Sequence, residues 1–117
     1  MIDRLTPNLA WVLLVTAGLL EVVWAVSMKA SNGFTRPHFT VVTLVGAGLS
    51  FWLLGLALRQ LPVGTAYAVW TGIGAVGATI LGIVFFGESI SVARVGCIAL
   101  ILCGILGLKF LGGQGAG

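Results

Sequence analysis

Charge is what this sequence has least of. Of 117 residues, six are Lys or Arg and three are Asp or Glu. The net charge of +3 is small and scattered, which excludes a nucleic-acid-binding surface, since that needs clustered basic side chains. Cysteine is scarce too. Cys97 and Cys103 lie in one apolar segment, and at about 100° per residue they point to different faces of a helix, so they do not bridge each other. No histidine or acid stands near them to complete a metal site. They read as small apolar packing residues, and no metal or cofactor is expected. Polar surface is missing altogether on the scale a soluble domain needs, because 59% of the residues are hydrophobic. A small soluble domain leaves much of its surface in water, whereas a bilayer lets apolar side chains face lipid.

What is there is a series of long apolar runs. A span takes about 20 apolar residues, so the chain has room for four spans joined by short loops and for no soluble domain. The first span is predicted from Leu9 to Met28. Arg4 followed by this run looks like a signal peptide, but the run is long for one and contains a carboxylate, so it reads as a retained span. Lys29 to Pro37 forms the first loop, with Asn32-Gly33 and Pro37 as turn signals. The second span covers His38 to Leu58 and stops at Arg59-Gln60. Pro62 suits a helix start, and the third span covers Val63 to Phe86. Gly87-Glu88-Ser89 forms the third loop, and Ser91 to Phe110 the fourth span. The organisation expected is an N-terminal extension over 1–8, a four-helix membrane domain over 9–110 and a flexible glycine-rich tail over 111–117. The class is all-α, because lipid cannot satisfy open backbone groups and the runs do not alternate as barrel strands do.

Gly72-Ile-Gly74-Ala-Val-Gly77 matches the dinucleotide pattern GxGxxG, but no strand precedes it and no acid follows at the required distance. Inside a span, small residues permit close helix contact, and paired glycines allow a bend at Gly72 and Gly74. Orientation should follow the basic residues near the spans. Arg4, Arg59 and Lys109 lie on one face, and Lys29, Arg36 and Arg94 on the other, a tie that implies insertion in both orientations. A transporter site between inverted repeats could then be made by two opposed copies, related by a two-fold axis in the membrane plane.

Glu21 is the one acid inside a span. It sits about 12 Å along the helix from Lys29, at 1.5 Å per residue. Placing an acid there costs on the order of 2.5–3.5 kcal/mol, and such residues are functional by default. No basic residue stands at the same depth in any span. The carboxylate therefore has two ways to be neutralised, a proton or a cation, and the two exclude each other; that is the chemistry of proton–cation exchange. Ala17, Gly18, Trp24 and Ala25 share its helix face. Gly18 lets a neighbour come close, and Trp24 offers a ring to a cation. Ser50 sits near the middle of the second span, and Tyr67 and Trp70 share a face of the third. Together with an acid and no base, these residues look like a cation site. Trp11 and Trp52 read as interfacial or lipid-facing.

Four stretches carry a family resemblance: Gly18-Leu-Leu-Glu21-Val-Val-Trp24-Ala, Lys29-Ala-Ser-Asn-Gly-Phe-Thr-Arg36, Leu61-Pro-Val-Gly-Thr-Ala-Tyr67-Ala-Val-Trp70-Thr-Gly-Ile-Gly74 and Phe85-Phe-Gly-Glu88. The sequence resembles the small multidrug resistance family over essentially all but its termini. The resemblance implies a proton-coupled exporter of the cell inner or plasma membrane, working as an antiparallel dual-topology homodimer. It implies that Glu21 binds proton and substrate in turn, that Tyr67 and Trp70 line the substrate site, and that Gly72 and Gly74 form a bend. Exporters of bulky quaternary ammonium ions typically have Gly three residues after the glutamate, whereas guanidinium exporters have Trp; Trp24 and Ser50 match the guanidinium subtype. The expected partners are guanidinium, protons, lipid and a second copy, with no nucleic acid and no enzymatic activity. The alternatives are a broader exporter of lipophilic cations and a non-transporting subunit or half of a heterodimer.

Overall fold

The computed structural model describes residues 6–113. Arg4 and the tail residues 114–117 lie outside the described residues. Four helices follow in order: α1 Pro7–Ala30, α2 Pro37–Ala57, α3 Val63–Phe86 and α4 Val92–Gly113. Each is long and apolar enough to cross a membrane, and no strand occurs among the described residues. The helix limits differ from the sequence-based ones by up to three residues. At α1 the cause is a cap: the Thr6 hydroxyl accepts a bond from the Leu9 N–H at 3.1 Å, and Pro7 occupies the first turn, where its missing N–H costs nothing. Pro7 and Asn8 thus belong to α1, and Leu111–Gly113 continue α4.

Loop 1 is knit by a short side chain. Ser31 is fully buried; its hydroxyl donates to the Met28 carbonyl at 2.6 Å and accepts from the Phe34 N–H at 3.0 Å. Asn32, Gly33 and Phe34 all take positive φ, a conformation uncommon for a bulky residue such as Phe34. The six-residue connection between α1 and α2 is held in this form by the Ser31 and Thr35 bonds. At the other loop on this face, Gly87 caps α3 in the left-handed region, with φ at 65°, which only glycine adopts without cost.

α1 is the centre of the protomer. It packs on α2 and on α3, while α4 leans mainly on α3. Contacts between α1 and α3 pair Gly18 with Ile73, Glu21 with Gly74 and Val22 with Gly77, so the two helices run parallel. Trp24 meets Gly46 and Ala17 meets Ser50, so α1 and α2 run antiparallel. The closest-packed region gathers Leu14 and Ala17 of α1, Leu54 and Ala57 of α2, and Val69 and Trp70 of α3. Small residues bring backbones together there, and van der Waals contact does the work that water exclusion does in a soluble core. No residue of the α4 span is buried.

Candidate cation-binding site

Glu21 lies directly on the backbone of α3. A Cβ at Gly74 would collide with its carboxyl group, so Gly74 provides the space into which the acid fits. The carboxyl oxygen Oε1 is buried and has no hydrogen-bond partner. One turn further along the same helix face, Trp24 packs its Cβ against Gly46, where an added Cβ would lie 3.1 Å away. The Trp24 Nε1 is likewise buried without a partner. An acceptor and a donor, three residues apart on one helix, are both left unsatisfied in surroundings where an unpaired polar atom is costly.

A second group of side chains stands beside this pair. Ser50 is fully buried; its hydroxyl accepts from the Trp70 indole at 2.9 Å and donates to the Ala17 carbonyl at 2.7 Å. A hydroxyl has one proton to give, so in this structure Ser50 does not hold the Glu21 carboxylate directly. It acts one step back: residue 17 is four before Glu21, so its carbonyl closes the helical turn that carries the acid. Tyr67 stands 5.8 Å from Trp70 between ring centroids and is 58% exposed, on an outer face of the protomer.

Phe51 joins the two groups. Its ring lies 6.3 Å from Trp24 and 5.3 Å from Trp70, which makes a row of four aromatic residues: Trp24, Phe51, Trp70 and Tyr67. Spacings of this size suit tilted ring pairs. Sequence reasoning passed over Phe51, because an aromatic residue in an apolar span carries no signal of its own; its place beside Ser50 was the only hint. The two glycines of the third span prove to have separate neighbours. Gly74 accommodates Glu21, whereas Gly72 faces Ile101 and Ile105 of α4, and α3 is one continuous helix through both. Gly18 sits against Ile73, with no room for a Cβ. Trp52 is 60% exposed, while Trp11 is partly covered and carries the Lys109 ammonium 5.4 Å from its ring. Cys97 and Cys103 are free thiols on the outer surface of α4 rather than packing residues.

A membrane acid without a base, set on a glycine and flanked by an indole, is an arrangement found here on a four-span chain whose residues 9–101 match the family model described as Small Multidrug Resistance protein. The chain belongs to the small multidrug resistance family. Within that family it is similar to the guanidinium exporter of Yersinia pseudotuberculosis serotype I (strain IP32953), with 58% identity over 101 residues, covering 86% of this chain and 97% of the relative. It is 56% identical to the guanidinium exporter of Escherichia coli (strain K12) over 86% of this chain and 96% of the relative, and 54% identical to that of Citrobacter freundii over the same shares. As a small multidrug resistance protein with four spanning helices, it is a multi-pass membrane protein.

Proposed function

We propose that this chain is a proton-coupled antiporter that exports guanidinium across the cell inner membrane, with Glu21 holding proton and substrate in alternation. The observation that carries this reading is the Glu21 carboxyl itself: half-buried in a span, seated on Gly74, with Oε1 buried and without a partner. Guanidinium is planar and presents N–H groups in a fork that fits a carboxylate. Its flat face stacks on an indole, and Trp24 stands three residues from the acid. The relatives named guanidinium exporter support the choice of substrate.

The working unit is an antiparallel homodimer. One protomer leaves Tyr67 and the whole outer face of α4 uncovered, and the balanced basic residues favour insertion both ways round. Two Glu21 carboxyls then serve one site, and exchange of two protons for one cation becomes possible. The protein performs transport rather than catalysis and uses no cofactor. Glu21→Gln keeps the shape of the side chain and removes the exchangeable charge. Guanidinium-driven proton flux in liposomes should vanish in this variant, and coupled flux at the wild-type rate would overturn the reading.

A further inference from the structure

A second carboxylate stands at the end of the seam that begins at Glu21. Along α1, residues Glu21, Ala25 and Lys29 follow at four-residue spacing, and along α3 so do Gly74, Ala78 and Gly82. Two such rows on parallel helices face each other, and their small side chains leave a cavity of about 220 Å³. That is the volume of several waters at about 30 Å³ each. Ala25, Lys29, Ala78, Thr79, Gly82 and Glu88 line it. It starts one helical turn beyond the Glu21–Gly74 contact and ends at loop 3.

The outer end is built as the inner end is. The left-handed Gly87 turns the chain back, so that the Glu88 N–H bonds to the Gly82 carbonyl at 3.3 Å. The Glu88 carboxyl is thereby laid over Gly82, where a Cβ would strike Oε1, just as Glu21 is laid over Gly74. An aromatic ring accompanies it: the Lys29 ammonium, which donates to Glu88 Oε2 at 2.5 Å, lies 5.2 Å from the centre of the Phe86 ring. At both ends an aromatic residue stands within three positions of the acid, Phe86 before Glu88 and Trp24 after Glu21, and at the outer end the Lys29 ammonium touches both carboxylate and ring. Lys29, helped by Arg94, holds the Glu88 carboxyl below the usual carboxylate range, and it is anionic at neutral pH.

We propose that Glu88 is an outer binding station for the guanidinium-class cation on its path between Glu21 and the water, and that Lys29 is the displaceable counter-ion that occupies the station when substrate is absent. The proposal rests on the guanidinium reading above and adds a second site to it. Displacement is cheap, because both partners are accessible, with 55% and 31% of their side-chain surfaces exposed, and exposed ion pairs are weak. The incoming ion has the better geometry: a forked donor takes both carboxylate oxygens, whereas an ammonium acts as a point charge. In the antiparallel dimer each membrane face receives one such station, so entry and exit meet the same chemistry.

The test separates the station from the transport cycle. Glu21→Gln protein in bicelles is titrated with guanidinium chloride at constant ionic strength, and the amide resonances of Gly82, Gly87 and Glu88 are followed. Saturable shifts are expected there, absent in the Glu21→Gln/Glu88→Gln double variant and not reproduced by tetramethylammonium, which has no N–H. Lys29→Gln should tighten this binding by about twofold to fivefold, the range that loss of an exposed competing ion pair allows. In transport by otherwise wild-type protein, Glu88→Gln should raise KM for guanidinium by a similar factor with the maximal rate kept, and Lys29→Gln should not raise it. Absence of saturable shifts in Glu21→Gln, or an equal loss of maximal rate in both single variants, would mean that the pair is a structural clasp and would overturn the proposal. Failure of the wild type to carry guanidinium would instead refute the substrate assignment, while the titration still reports on the station.

Discussion

At Ser50 one hydroxyl joins three helices, taking the indole proton of Trp70 on α3 and giving its own to Ala17 on α1. Interhelical hydrogen bonds in membranes average only about 0.6 kcal/mol, but a buried donor left unpaired costs about 1–3 kcal/mol. Trp70 is 5% exposed, so the larger range applies to Ser50→Ala. We expect a lower melting temperature in detergent for that variant and near-recovery in Ser50→Thr, which restores the hydroxyl. Trp24 has a different duty in the proposed site, because it stands three residues from Glu21 on the same helix face and no hydrogen bond ties down its indole N–H. Trp24→Gly should weaken guanidinium binding, by up to about thirtyfold if a cation–ring contact of about 2 kcal/mol is lost, and should admit larger aromatic cations. The check is to measure guanidinium and a bulky quaternary ammonium ion side by side on both proteins. Equal transport of the two ions by the wild type would replace the guanidinium assignment with the broad-exporter one.

At the scale of the helix, contact between α1 and α3 is a matter of missing side chains. Glu21 reaches its place only because Gly74 has no Cβ. Gly74→Ala forces the carboxyl aside, and overpacking of this kind costs about 1–3 kcal/mol, equivalent to roughly fivefold to 150-fold in affinity if it falls on the bound state. Titration calorimetry with guanidinium should show that loss with the helices intact by circular dichroism; unchanged affinity would mean that the acid does not use this seat. The four helices themselves are legible in the sequence, since apolar run length and the Pro37 and Pro62 signals mark them to within a few residues. Glu21 is legible because a lone acid in a span stands out against its cost. What reads less well is pairing across helices. Nothing in the one-dimensional order tells that Gly72 faces α4 while Gly74, two residues on, faces Glu21. Nor does it tell that Ser50 bonds to a backbone carbonyl, because carbonyls are the same at every position.

The protomer as a whole is a slab, 42 by 36 by 16 Å along its principal axes. A helix with its side chains is about 10–12 Å across, so the thin dimension holds little more than one layer. Such a slab cannot enclose a cation on its own, and α4, with nothing buried along its span, is left for lipid or a second copy to cover. The two-way insertion proposed above is tested with Ile90→Cys in loop 3, which is 67% exposed, in a background where Cys97 and Cys103 are replaced by Ala. A membrane-impermeant thiol reagent added from one side should label about half of the molecules, and the rest should label from the other side, as balanced flanking charges imply. Labelling from a single side would refute the antiparallel dimer. Thinness has a genetic consequence as well. On so thin a body the usual division between a tolerant outside and an intolerant inside would break down in the proposed dimer, because the outside of one copy would line the inside of the pair. With the two-way insertion proposed above, each inherited change would also be made twice, once facing the cell interior and once facing away from it. A substitution must therefore be acceptable in two settings at once, and the room for neutral drift should be narrower than the protein's small size and large exposed area would suggest.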